Sequence, residues 1–336
     1  LNRQERIEKK LAKRHLTPGG FVLYDLTSSY FEGRTCPLAQ HGYSRDHRGD
    51  RLQIVYGVMS DEEGRPVATQ VYSGQTADPS TVSDQVDKLR ERFGLERAVL
   101  VGDRGMLTQT RIDAIRKHPQ LGWISALRSG SIKDLVRSGD IQCSLFDERD
   151  LAEIISPDFP GERLIVCYNP LLAQDRGDTR AQLLVATEKG LEKIAAEVRR
   201  RKKTPLSASQ IGMKVARIFG QYKMKKHFDI VIEDGRFEWS RDQSSIAQEQ
   251  ALDGIYVVRT SEPKDRLSAE DTVRAYKNLS QVERIFRTLK GVDLRVRPIF
   301  HHLEETVRAH VFLCVLTYYV EWHMRRALRP LLFDED

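Results

Sequence analysis

The first third of the chain alternates short apolar runs with polar turns, a pattern typical of β-strands in a sheet. The runs FVLYDLTSSYF, RLQIVYGVMS and PVATQVYSG follow one another, and the polar turn DEEGR separates the second from the third. Two shorter runs, AVLV and LGWISAL, follow segments with helical periodicity at residues 79–93 and 108–118. Strands in series followed by alternating helix and strand predict a mixed α/β sheet flanked by helices.

The pattern changes between residues 129 and 253. Short apolar runs (LAEII, RLIVCY, AQLLVAT, FDIVIE and FEWS) alternate there with turns, and a charged helix is expected at about residues 191–203. We therefore expect a mostly β insertion that interrupts the α/β sheet. The strand-like run GIYVVRT then returns to the core, and a long final helix is expected over residues 303–328.

These patterns divide the chain into four parts. Residues 1–20 hold a charged helix, interpreted as a linker helix from a missing N-terminal region, although an ordinary surface helix has the same pattern. Residues 21–128 are expected to form the first part of a catalytic core and residues 129–253 the β-rich insertion. Residues 254–336 complete the core and supply the C-terminal helices.

The stretch YKNLSQVERIFRTLK has the periodicity of an amphipathic helix. Its apolar stripe consists of Leu279, Val282, Phe286 and Leu289. Tyr276, Glu283 and Lys290 fall on one line along the edge of that stripe, so Glu283 is predicted to lie where the helix meets the protein body. The alternative is a solvated helix in which Glu283 pairs with Arg287.

The start of this helix also carries a signal. Ser268 is followed three residues later by Asp271, which is a variant of the capping box. The sequence therefore predicts that the helix carrying Glu283 begins directly after Ser268.

Composition narrows the class of protein. The 336 residues suffice for two domains or for one large domain with an insertion, and the net charge of +6 with a pI near 9.1 favours a polyanionic partner. The four cysteines contain no C-x-x-C pair, which argues against zinc and disulfides and indicates reduced thiols in a cytoplasmic protein. We find no signal peptide, and the apolar segment AHVFLCVLTYYVEW is too short to span a bilayer, so no membrane partner is expected.

Three acids stand out as candidate catalytic and metal-binding residues: Asp25, Asp103 and Glu283. Asp25 lies within an apolar strand-like run, where aspartate is rare without a partner. Asp103 follows a buried strand, where it could also cap the next helix, and strand ends are where open α/β sheets place their sites. An all-oxygen set of three carboxylates suits Mg²⁺ or Mn²⁺, and two such ions promote phosphodiester chemistry.

Four segments carry a resemblance to a known family. YDLTSSYFEG around Asp25, VLVGDRGM around Asp103, DGIYVVRT and YKNLSQVERIFRTLK resemble, in this order, the DDE transposases of bacterial insertion sequences that have a β-rich insertion in the core. The family's last signature is Tyr, Arg, Glu and Lys at fixed spacing. Tyr276, Glu283 and Lys290 match it, whereas Leu279 stands at the arginine position.

The resemblance implies a ribonuclease-H-like core that cleaves DNA at transposon ends and transfers the strands to target DNA. It implies Asp25, Asp103 and Glu283 as ligands of two Mg²⁺ or Mn²⁺ ions, and a homodimer that holds paired transposon ends. It also implies an N-terminal end-binding domain, and this chain would start after it. The alternative is a catalytically inactive transposase remnant that acts only as a DNA-binding protein.

The same resemblance gives candidate DNA-binding residues: Tyr276, Arg287, Lys290 and Arg104. Arg287 and Lys290 share a helix face with Glu283, and Arg287 is a candidate to supply the charge that Leu279 lacks. A solvated face with ordinary ion pairs is the alternative for these two bases. For Arg104, a structural salt bridge is an equally good interpretation.

Overall fold

The computed structural model describes residues 3–141, 150–292 and 294–331. The chain divides into two compact units. The first comprises Leu1–Arg128, Glu153–Ile165 and Val257–Asp336, and the second comprises Ser129–Ala152 and Val166–Tyr256.

The first unit is built on the strands predicted from the first third of the sequence. They are β1 (Phe21–Tyr30), β2 (Gln53–Ser60), β3 (Pro66–Ser73), β4 (Ala98–Val101) and β5 (Leu121–Ala126). The strands β1, β2 and β3 pair antiparallel, whereas β4 is parallel to both β1 and β5. The order β3-β2-β1-β4-β5 places the first strand in the middle of this group.

Three later strands extend the sheet to eight strands: β6 (Leu151–Ile154), β7 (Arg163–Tyr168) and β10 (Ile255–Thr260). The strand β10 pairs antiparallel with β5, and the order continues as β5-β10-β7-β6. The expected mixed sheet with flanking helices is confirmed.

Helices of the first unit lie close to their predicted positions. They are α1 (Gln4–His15), α2 (Val82–Asp87), α3 (Gln109–Ile115), α8 (Ala269–Lys277), α9 (Leu279–Lys290) and α10 (Glu304–Leu328). A 3₁₀ turn (Asp78–Thr81) leads into α2, and a π-helical turn (Lys88–Arg92) follows it. None of the helices within the described residues combines the length and the apolar character that crossing a membrane requires.

The predicted capping box lies at the predicted place but begins a shorter helix than expected. The Ser268 side chain accepts a hydrogen bond from the Asp271 backbone N–H and donates to Asp271 Oδ2 at 2.8 Å. The helix that Ser268 caps, α8, ends at Lys277, and Glu283 lies on the next helix, α9. One residue, Asn278, separates the two helices, so the single helix predicted for residues 276–290 was wrong in this respect.

The second unit contains more helix than the mostly β insertion that we expected. Its elements are α4 (Ser129–Ser138), α5 (Pro170–Arg200), α6 (Ala208–Tyr222), α7 (Gln243–Gln250) and the hairpin of β8 (Phe228–Glu233) and β9 (Arg236–Arg241), beside parts of the sheet strands. The run AQLLVAT, predicted as a strand, lies inside α5. Residues Leu184, Leu191, Ile194 and Val198 are buried at helical spacing, and a short apolar run cannot distinguish a strand from one face of such a helix.

Three of the four cysteines lie within the described residues. Cys36, Cys167 and Cys314 are buried, and none of them forms a disulfide within the described residues. Cys143 lies outside the described residues.

Candidate active site on the central strand

The central strand β1 presents different chemistry on its two faces. Tyr24 and Leu26 are buried in the large hydrophobic cluster that α1, α2 and α3 also enter. Because side chains alternate along a strand, Asp25 and Thr27 lie on the opposite face. This alternation explains how an aspartate is accommodated within an apolar strand.

Asp103 lies beside Asp25, just beyond the C-terminal end of β4. In the parallel pairing of β1 with β4, Leu23 is opposite Val101, so Asp25 and Asp103 each lie two residues further along their chains. Asp103 Oδ1 accepts hydrogen bonds from the backbone N–H groups of Gly105 (3.0 Å) and Met106 (2.7 Å). These bonds fix the turn after β4. The next helix, α3, is preceded by Thr108, so Asp103 does not cap it.

Two contacts place α9 on the face of β1 that carries Asp25. Lys290 Nζ donates to Thr27 Oγ1 at 2.7 Å. Phe286 contacts the ring of Tyr56, the β2 residue opposite Thr27, with ring centroids 6.0 Å apart. Helix α9 therefore runs over the same face of the sheet, as the stripe predicted: all of its apolar residues are buried.

Glu283 lies two helical turns before Lys290 and is exposed. Its carboxylate makes no hydrogen bond or ion pair with another described residue, so the surface pair with Arg287 considered above is not formed. An acid without a partner at the edge of a buried stripe remains available to a ligand.

The charges of the three acids affect the pKa values of groups around them. Burial, with a smaller contribution from the negative charge of Asp103, raises the pKa of Asp25 to about 7, and a hydrogen bond from the Leu26 N–H opposes the shift. Burial also raises the pKa of Tyr276, and the charges of Asp103, Glu283 and Asp25 add to this effect. The phenol of Tyr276 is therefore within electrostatic range of all three carboxylates.

The carboxylate oxygens of Asp25, Asp103 and Glu283 are ligands of the kind that a hard cation prefers. Asp25 and Asp103 repel each other, and a divalent cation relieves such repulsion. Asp103 Oδ2 accepts no hydrogen bond from a described residue, and neither does Glu283. Nevertheless, among the described residues no three His, Cys, Asp or Glu side chains lie close enough together to form a ready-made metal-binding group.

The four candidate DNA-binding residues lie in different environments. Arg287 and Arg104 are exposed, and neither forms an ion pair with a described residue. Tyr276 is half-buried beside the acids. Lys290, in contrast, is already bound: its ammonium group donates to Asp46 Oδ1 at 2.8 Å as well as to Thr27.

Sequence reasoning missed the loop between β1 and β2. Asp46 accepts hydrogen bonds from Lys290, from Arg297 and from the Tyr30 N–H, and these bonds hold its pKa below the usual value although burial alone would raise it. The charge of Arg45, the preceding residue, acts on both Asp25 and Lys290. The polar run YSRDHRGDR between two strands was the available signal, because it is unusually long and basic for a strand connection.

Comparison with known proteins identifies a family over most of the chain. Residues 21–320 match the family described as the transposase DDE domain. This chain belongs to that family. The resemblance seen in the sequence is thereby confirmed at the level of the family, over nearly the same residues.

Two solved transposase structures show only a distant similarity to this chain. The piggyBac transposase in a synaptic complex with hairpin DNA is 10% identical, with a TM-score of 0.44, over 89% of this chain and 45% of that chain. The Mos1 transposase in a paired-end complex with the left transposon end is 16% identical, with a TM-score of 0.23, over 40% of this chain and 45% of that chain. This chain thus spans less than half the length of either, and no curated protein sequence matches it.

Proposed function

We propose that this DDE-domain protein cleaves DNA at transposon ends and joins the freed strands to target DNA. Asp25, Asp103 and Glu283 act as its catalytic, metal-binding carboxylates. The observation that carries the proposal is that Asp103 lies beside Asp25 across the β1–β4 pairing, while α9, which carries Glu283, runs over the same face of the sheet. The proposed site draws on residues separated by 78 and 180 positions in the sequence (103 − 25 and 283 − 103).

Each acid brings a property that metal binding requires. Asp25 is placed by the central strand and desolvated, Asp103 is oriented by the turn after β4, and Glu283 has no partner among the described residues. The chemistry of the three groups fits two Mg²⁺ or Mn²⁺ ions, which all-oxygen ligands favour. When bound, such ions would activate a water or a 3′-hydroxyl and stabilise the leaving oxygen of the phosphodiester.

The bases and Tyr276 are proposed to position the DNA. Arg287 and Arg104 are exposed on the elements that carry Glu283 and Asp103, so their guanidinium groups can bind phosphates beside the acids. The pKa of Tyr276 is raised, so its phenol stays protonated and can donate to a phosphate oxygen. Lys290 contributes to phosphate binding only in competition with Asp46. Work as a homodimer on paired ends is a further proposal, and it rests on the family resemblance.

A cleavage assay tests this function. The substrate is duplex DNA that carries the terminal sequences of the element encoding the chain, incubated with Mg²⁺, Mn²⁺ or Ca²⁺. We expect cleavage with Mg²⁺ or Mn²⁺ and little with Ca²⁺, because Ca²⁺ prefers longer and looser coordination. Asp25→Asn, Asp103→Asn and Glu283→Gln should each abolish cleavage while DNA binding persists.

The matched control is Glu270→Gln, which neutralises an exposed acid on the neighbouring helix α8 and should cut normally. Normal cleavage by Asp103→Asn would refute the site. Absence of cleavage by the wild-type chain under all three ions, with DNA binding retained, would favour the inactive remnant instead.

A further inference from the structure

The loop between β1 and β2 is anchored to the sheet beside the acids. Ser28 Oγ on β1 accepts from the Arg45 N–H at 2.9 Å, and Gln53 Nε2 on β2 donates to the Tyr43 carbonyl at 3.1 Å. Asp46 accepts from the Tyr30 N–H at 3.1 Å. Side chains and backbone groups of two strands therefore fix this short segment, which we call the anchored loop (residues 43–46).

The anchored loop reaches the face of the sheet that carries Asp25. Asp46 binds Lys290, and Lys290 binds Thr27, which lies two residues from Asp25 on the same face of β1. Arg45 is the neighbour of Asp46. Its backbone N–H binds Ser28 Oγ, so the geometry brings residue 45 to the same strand as Asp25, three residues along the chain from it.

The Arg45 side chain is held in place by its neighbours but remains partly exposed to solvent. Its guanidinium pairs with Asp78 and lies 5.8 Å from the ring centroid of Tyr43, a side chain that is 81% exposed. The side chains of Arg45 and Asp78 are 24% and 28% exposed. An arginine oriented by a carboxylate and an aromatic ring, and open to solvent, resembles a preorganised phosphate-binding group.

We propose that Arg45 binds a phosphate of the DNA strand that is cut at the acids, and that Asp78 holds the guanidinium ready for it. The proposal rests on the proposed function, since it assigns a further DNA-positioning residue to the same site. Asp78 would then compete with the phosphate for Arg45. Arg45 neutralises a phosphate beside Asp25, where desolvated carboxylates would otherwise repel the strand.

Binding measurements on three variants test the proposal. Affinity for the terminal-sequence duplex is measured without divalent ions, so that metal binding at Asp25 does not contribute. Arg45→Ala should weaken binding about tenfold, because it loses a charge-assisted hydrogen bond, and should lower the salt slope by about 0.7–0.9. Asp78→Asn should bind as well as the wild type or more tightly, because the asparagine side-chain oxygen can still accept a hydrogen bond from Arg45 while the competing negative charge is gone.

Arg48→Ala is the matched control. Arg48 is an arginine of the same connection that also pairs with an aspartate, Asp50, and faces an aromatic ring, that of Tyr30. Arg48 lies outside the anchored loop, and its pair with Asp50 is more exposed than the pair of Arg45 with Asp78. It should therefore change the affinity less than twofold. Equal losses for Arg45→Ala and Arg48→Ala would show only a general effect of charge and overturn the proposal.

A purely structural role for the Arg45–Asp78 pair gives a different pattern. In that case Asp78→Asn and Arg45→Ala would weaken binding together and lower the melting temperature together, which would also overturn the proposal. If Arg45→Ala does not fold, Arg45→Lys is combined with DNA in which single phosphates near the cut are replaced by neutral methylphosphonates. Replacing one particular phosphate should cost the wild type about tenfold in affinity and Arg45→Lys clearly less.

The cleavage assay separates this proposal from the proposed function. Metal-dependent cleavage by the wild type that is lost in Asp103→Asn supports the function, whatever Arg45 does. If that cleavage occurs and Arg45→Ala binds DNA with wild-type affinity and salt slope, only the role of Arg45 is wrong.

Discussion

Lys290 at the end of α9 and Asp46 in the loop after β1 form an ion pair of 2.8 Å, with side chains only 13% and 1% exposed. Arg297 binds the same carboxylate, so Asp46 balances two positive charges. The pair joins the C-terminal end of the helix that carries Glu283 to the central strand that carries Asp25. Lys290, expected from the sequence to act on DNA, thus also has a structural partner within the fold.

The first prediction concerns the stability of this pair. Asp46→Asn leaves two cations near each other without their carboxylate and should lower the free energy of unfolding by about 3–5 kcal/mol. Lys290→Met should cost less, because Asp46 keeps Arg297 and the Tyr30 N–H. Urea denaturation of both single variants and the double variant should give a coupling energy of about 0.5–3 kcal/mol.

The exposed pair of Arg137 and Asp134 on α4 is the control for this cycle, with side chains 72% and 68% exposed. Solvent screens such pairs, so its coupling should be close to zero. Additive effects for Asp46→Asn and Lys290→Met would contradict the pairing.

The second prediction concerns Leu279, which stands where the signature expected from the sequence has an arginine. Leu279 is 9% exposed and lies in the buried stripe of α9, so Leu279→Ala should lower the free energy of unfolding by about 2–5 kcal/mol. Thermal or urea unfolding measures this loss. Leu313→Ala on α10 removes the same atoms from a side chain that is 60% exposed and should have a much smaller effect. Equal costs for both variants would mean that Leu279 is not packed.

The third prediction is a pH dependence caused by Asp25. Its pKa in the folded protein is about 7, above the ordinary value of 3.8, so the folded state holds this proton more tightly than the unfolded state. The resulting stabilisation is complete below about pH 4 and is lost as the pH rises through 7. In metal-free buffer, Asp25→Asn should therefore become more stable relative to wild type over this range, by at most a few kcal/mol.

Denaturation curves at several pH values check this difference, with Glu270→Gln, a change at an exposed acid, as the reference. A constant difference between Asp25→Asn and wild type from pH 4 to 8 would show that Asp25 is not desolvated. A difference of the opposite sign would show that a positive charge lowers the pKa of Asp25 more than burial raises it.

The fourth prediction compares the two bases of α9. Arg287 is exposed and forms no ion pair with a described residue, whereas Lys290 is bound to Asp46. Arg287→Ala should therefore lower the slope of log affinity against log salt by about 0.7–0.9 for DNA that carries the terminal sequence. Lys290→Met should lower it less, because DNA must first displace Asp46.

A salt titration measures both slopes, with Arg325→Ala on α10 as a control for loss of an exposed charge. Identical slopes for wild type and Arg287→Ala would exclude a phosphate contact by Arg287. A larger change for Lys290→Met than for Arg287→Ala would show that Lys290 leaves Asp46 when DNA binds.

The sequence by itself determined the elements whose patterns are strong and local. The strands β1 to β5 follow from alternating or continuous apolar runs between turn residues, and the buried stripe of α9 follows from helical spacing. The cap at Ser268 also follows from the sequence, because capping depends on residues three positions apart. The three acids could be selected because each lies at a position where a carboxylate is unusual or is matched by the family signature.

The tertiary structure decided what depends on contacts between distant residues. A short apolar run such as AQLLVAT fits a strand or one face of a helix, and only packing between α5 and its neighbours in the second unit selects the helix. The partner of Lys290 could not be read from the sequence either, since Asp46 lies 244 residues away. Burial gives Asp25 its raised pKa, and the pairing of β1 with β4 places Asp103 beside it. Both effects arise only when the chain has folded, because solvation and register are properties of the assembled sheet rather than of the local sequence.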